Sequence, residues 1–254
     1  MVQVSIEEAF PALLGEARHR AYVDAAGGNV QRAAELYEWS TKLAGAWHSH
    51  IGYVEVAVRN AIDRELATWN ASPTDGQGSP YGPDWTVDGG ADPLLFRTIG
   101  KPLREARDNA RKEAQRRPKQ HPRRGAQPNH DDVVAQLSFG SWSRFVTAPQ
   151  GPERSGANVN QVLLWGQALN RAFPGAAAGE PGRIWVGNQL EGIRRLRNRI
   201  AHHDNLLGVD TTARLNGSLA LLGCIHADFP ALVMGPNTLR QLAAADPRLQ
   251  WGAA

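Results

Sequence analysis

Apolar residues recur at steps of three and four along most of the chain, the period of helices with one buried face. The longest such run is Val30–Trp69, where Leu36, Leu43, Trp47, Ile51, Val54, Val58, Ile62 and Leu66 make one stripe. Gly45 and Gly52 are its weak points, so a kink or break is expected near Gly52 if anywhere. Upstream, Ser5-Ile6-Glu7-Glu8 has capping-box spacing and opens a helix that carries Phe10, Leu13, Leu14, Tyr22 and Val23 to about Ala26. Gly27-Gly28-Asn29 ends that helix and starts the next. The periodicity then stops. Asn70–Asp92 is turn-rich and predicts a long irregular connection with room for a short hairpin, suited to a lid or a substrate contact. It returns in Pro93–Arg117, a basic helix, followed by a proline-rich stretch, Pro118–Pro128, that reads as mobile. Asp131-Asp132 starts a helix running through Val133, Val134, Leu137, Phe139, Trp142, Phe145 and Val146. Its aromatics are core residues or base-stacking platforms, and Gly140 suits a bend or a close helix contact. Pro149–Ala157 reads as a loop, and helices follow over Val159–Phe173, Arg183–Asn205, Thr211–Phe229 and Thr238–Ala245. There are no alternating strand runs and no internal repeat, so the pattern predicts an all-α fold, a helical bundle over residues 1–254 with 70–130 as a loop-rich basic insertion.

Composition adds limits. A chain of 254 residues with 42% hydrophobic content and eight tryptophans can bury a sizeable core. Its one cysteine, Cys224, lies in LALLGCIHADF and reads as a small core residue, so no disulfide framework or multi-cysteine zinc site is expected. No apolar run reaches transmembrane length and MVQVSIEEAF is no signal peptide, which points to a soluble cytoplasmic protein without a membrane partner.

Charge changes the picture more. The formal net charge is +3, yet Lys101–Arg124 holds ten Lys/Arg against three Asp/Glu. A basic segment on a nearly neutral body suits a polyanion, RNA rather than membrane because no apolar face accompanies it. Arg104, Arg107, Arg111 and Lys112, continued by Arg116 and Arg117, are the candidate contacts to an RNA backbone, as point charges that read no bases. A solvated surface arm is the plainer alternative.

The densest candidate chemistry lies in Arg183–Asn205, RIWVGNQLEGIRRLRNRIAHHDN. Val186, Leu190, Ile193, Leu196 and Ile200 form the buried face, and Arg194, Arg195, Arg197 and Arg199 occupy the others. Two Arg-x4-His pairs exist, Arg116/His121 among prolines and Arg197/His202 in this helix. Only the second sits in a rigid element. Asn198 and His202 share a face, whereas Arg197 and His202 are separated by roughly 140° on an ideal helix. A guanidinium beside an imidazole, the one side chain that ordinarily titrates near neutrality, can do acid–base chemistry on a phosphodiester. The structural alternative makes Arg197 a helix-end salt bridge, with His202 and His203 favouring the C-terminal dipole. His48 and His50, two apart on a helix, face different ways and have no carboxylate at ligand spacing, so neither metal nor cofactor is expected.

The same residues carry a family resemblance. RNRIAHHDNLL resembles the Arg-Asn-x-x-x-His signature of the HEPN superfamily, in its Abi-like (abortive infection) branch. YEWSTKLAGAWHSHIGYVEVAVRNAID and, less closely, LSFGSWSRFV are similar to other blocks of that branch, and together these cover about half the chain. The resemblance implies a HEPN-like bundle and a metal-independent endoribonuclease, in which the RNA 2′-OH attacks the adjacent phosphorus to leave 2′,3′-cyclic phosphate and 5′-OH ends. Arg197, Asn198 and His202 would be catalytic. His203 would supply a second proton transfer or simply pack, and Glu55, Arg59 and Asn60 would lie beside the pair. Glu55 and Arg59 also stand in the favourable i,i+4 order for an ordinary intrahelical ion pair. Kinship further implies a homodimer with two such helices facing, a toxin-like role in antiviral defence, and restraint by an antitoxin or regulatory RNA. A non-catalytic RNA-binding or partner-binding module on the same fold is the alternative, since fold does not fix chemistry.

Overall fold

In the computed structural model the long stripe becomes α3 (Val30–Asn70), a 41-residue helix that runs unbroken through Gly45 and Gly52. All eight stripe residues are buried. The structure describes residues 6–74, 76–148, 158–235 and 238–251; the proposed cap at Ser5 and the loop at 149–157 lie outside them. The fold is all-α: among the described residues the only extended pairing is one isolated bridge, Thr74 to Pro80, inside the connection where a hairpin was allowed. No described helix is long and apolar enough to cross a membrane.

The chain divides into two compact units, each assembled from separated segments. One takes the residues up to Tyr53, Arg195–Ser218 and those from Ala231 onward. Here the single opening helix expected to Ala26 is two, α1 (Ile6–Leu14) and α2 (Glu16–Ala25). Gly15 separates them at φ 72°, a left-handed backbone that glycine adopts at no steric cost. Phe10 and Tyr22 pack edge-on against Tyr37 of α3, and the Tyr22 hydroxyl donates to Ser40 Oγ at 3.0 Å. Trp39 Nε1 donates to the carbonyl of Leu242 at 2.7 Å, which fastens the short C-terminal helix Leu239–Ala244 to α3. His50 is buried against Ser218 Oγ at 2.7 Å, and burial pulls its pKa down to about 4, so the ring is neutral.

The other unit holds Val54–Arg194 and Leu219–Pro230. Its basic helix, α4 (Pro93–Arg116), is capped by Asp92 and kinks at Ile99, just before Pro102. Far from standing off as an arm, α4 buries Leu95, Ile99, Leu103, Ala106 and Ala110 and packs against α5 (His130–Val134), α6 (Phe139–Val146) and α7 (Val159–Gln167). The irregular connection before it contributes Trp85, fully buried and edge-on to Trp142 and Phe145. Asn70, also fully buried, donates to the carbonyls of Gly82 and Gly90 and accepts from Asp92 N–H, so one side chain closes the whole 70–92 excursion. The proline-rich stretch is anchored too: Arg117 and Arg123 both pair with Asp132, and Gly125 N–H donates to the Ala114 carbonyl. One helix was expected from Asp131 to Val146; a turn separates α5 from α6, whose own cap is Ser138.

Candidate functional site

The helix that carries the Arg-x4-His pair is α8 (Gly179–Ala201). Val186, Leu190, Ile193 and Leu196 are buried as the periodicity predicts, and Ile200 is half-buried. The helix stops through paired backbone bonds, His203 N–H to the Ile200 carbonyl at 3.0 Å and Asp204 N–H to the Arg199 carbonyl at 2.8 Å. That 6→1 and 5→2 pattern is the Schellman end, and it puts His203 at the left-handed position with φ 51°. His203 is therefore part of the helix stop, at a place usually taken by glycine.

One turn earlier, α8 lines an open cleft of about 590 Å³ together with α2. Its lining is Arg18, Arg195, Asn198, Arg199, His202 and Asp204. Positions 195, 198, 199 and 202 fall together because seven residues are nearly two turns, so Arg195 and His202 are only about 20° apart around the axis. His202 thus opens onto a concavity, beside the half-buried Asn198. Arg199 pairs with Asp204 at 3.1 Å and donates to the Asn205 carbonyl at 3.2 Å. Arg197 is exposed and is not among the lining residues, as its roughly 140° offset from His202 requires. In the cleft, three guanidiniums outweigh one carboxylate and the roughly half negative charge of the helix end. Such a surface can attract oxyanions, and it includes an imidazole.

A family model described as Abi-like protein matches residues 9–208, a span that takes in every residue of the cleft. The chain belongs to the Abi-like protein family. No curated protein and no solved structure matches it.

Other residues expected to serve this Abi-like chain are not among those that line the cleft. Glu55, Arg59 and Asn60 sit on α3 in the unit that begins at Val54, where Arg59 Nε donates to Asn60 Oδ1 at 3.3 Å. On the basic helix two of the six cations expected to contact RNA are instead engaged within the chain. Arg107 is 6% exposed, donates to the carbonyls of Thr86 and Val87 and pairs with Asp88 at 3.0 Å; it holds the connection onto α4 and cannot reach an RNA backbone. Arg117 is half-buried and committed to Asp132. Arg104, Arg111, Lys112 and Arg116 remain on the surface, Arg104 over the Phe96 ring and Arg111 and Arg116 paired with Asp108 and Glu113.

Sequence reasoning missed two groups. Arg18 had no local signal, since α2 reaches the cleft only through tertiary packing. The second is His130, whose Nε2 meets Asp63 at 2.9 Å and Nδ1 meets Asp84 at 3.0 Å. Ionised carboxylates only accept, so both ring nitrogens donate and the ring is an imidazolium. The hydrogen bond to Asp63, helped by that to Asp84, raises its pKa to about 9. Asp63 also accepts from Trp85 Nε1 at 2.9 Å, which ties α3, the connection and α5 together. No three His, Cys, Asp or Glu side chains are grouped to hold a metal among the described residues.

Proposed function

We propose that the protein is an endoribonuclease of the HEPN type, independent of metal ions and acting in abortive infection, the setting that membership of the Abi-like family suggests. What carries the reading is the placement of His202 and Asn198 in one open cleft with arginines on the same helix face. An RNA 2′-oxygen attacks the adjacent phosphorus while the P–O5′ bond breaks. His202 takes the proton from the 2′-OH, or delivers one to the leaving 5′-oxygen. Asn198 orients the imidazole or a phosphate oxygen. Arg199, one turn from His202, neutralises charge that grows on the phosphoryl oxygens. The role first given to Arg197 passes to this residue within a single chain. A single histidine performs one of the two proton transfers, so the same histidine of a second copy, in a homodimer, supplies the other.

The test is incubation of RNA with purified protein in EDTA, followed by end-group analysis. Wild type should leave 2′,3′-cyclic phosphate and 5′-OH ends, and His202→Ala should cut at least a hundredfold more slowly, the usual scale of one acid–base group. Arg199→Ala should lower kcat more than Arg197→Ala does. RNA that is bound and left intact by wild type would favour a non-catalytic binding module, and equal cutting by His202→Ala would refute the mechanism.

A further inference from the structure

Arg18 is a cleft guanidinium that the described residues leave without an ion pair or hydrogen bond. It is exposed on α2, whereas Arg199 shares its charge with Asp204 and donates to the Asn205 carbonyl while staying open to the cleft. A long cationic side chain held in a concavity without a partner is matched to an anion from outside. Arg195 is the other cleft guanidinium remote from the proposed chemistry. Seven residues separate it from His202, about 10 Å along the helix axis at 1.5 Å per residue. That spacing along the axis suits neighbouring phosphates of one strand.

We propose that Arg18 and Arg195 bind a backbone phosphate of single-stranded RNA that flanks the one at His202, so that substrate is gripped at two successive points. This rests on the endoribonuclease reading for the second point only; the grip itself is an equilibrium property. The cleft is open, and guanidiniums outnumber carboxylates along its lining, so it takes an extended strand by its phosphates and reads no bases.

The experiment measures Kd by fluorescence anisotropy for an end-labelled single-stranded RNA carrying 2′-O-methyl riboses, which cannot be cut by its own 2′-oxygen. Titrations run from roughly 50 to 200 mM salt. Arg18→Ala and Arg195→Ala should each weaken binding about three- to tenfold and flatten the slope of log Kd against log salt by about 0.7, one single-strand phosphate contact. Arg18→Lys should restore the slope. Arg20→Ala, on the same helix and already paired with Glu16 outside the cleft, should behave as wild type. Arg18 is exposed, so these variants fold; a circular dichroism spectrum matching wild type checks it. With unmodified RNA, Arg18→Ala should raise KM and leave kcat unchanged, the mark of binding that is equal in ground and transition states. Unchanged Kd and slope in Arg18→Ala and Arg195→Ala, an equal loss in Arg20→Ala, or no RNA binding by wild type overturns the proposal. If the grip behaves as expected and wild type never cuts, the endoribonuclease reading falls and the grip stands.

Discussion

His130 offers the most quantitative test of how this fold is held. The perturbation is pH, with His130→Gln as reference, a neutral side chain of similar reach. A pKa rise from 6.5 to about 9, at about 1.36 kcal/mol per pH unit, corresponds to roughly 3.4 kcal/mol. The ring is still 23% exposed and its partner Asp84 39%, so solvent screening trims this to about 2–3 kcal/mol. Because the folded-state pKa is raised, the contribution is complete below pH 6.5 and fades as pH climbs through 9. Unfolding in urea, followed by tryptophan fluorescence, gives the stability of both proteins at each pH. Their difference cancels every other titrating group. Wild type should exceed His130→Gln by that amount at pH 6, with the gap closing steadily towards pH 9 and beyond. A gap that stays constant over this range would mean that His130 is not an imidazolium clasp and would refute the reasoning.

Two further outcomes follow from the geometry. His203→Gly should raise stability by about 1 kcal/mol, read as a higher Tm, because glycine takes the left-handed helix stop without the side-chain penalty; RNA cleavage should persist, which would exclude His203 as the second proton carrier. Arg107→Ala should cost on the order of 2–4 kcal/mol in denaturant unfolding by stranding the Thr86 and Val87 carbonyls, and should leave the RNA affinity of the folded fraction unchanged.

Local pattern was enough for the two long buried faces of this protein, though not for every helix boundary. The stripe from Leu36 to Leu66 and the face from Val186 to Leu196 depend only on a 3.6-residue period meeting a core, and that information is carried by neighbours in the chain. The family was legible as well, because the blocks around Arg197 and Arg59 are contiguous. Even the cleft face of α8 was readable in principle, since 195, 198, 199 and 202 obey the same period, which puts Arg197 on another face. Tertiary structure alone decided the rest. Arg18 reaches the cleft, and His130 meets Asp63 and Asp84, across long stretches of intervening chain, and no local pattern encodes such meetings. The basic helix shows the same divide. Counting its charges made all six cations equal, but a charge acts through its surroundings, and burial against backbone carbonyls turned Arg107 from a surface contact into a structural tie.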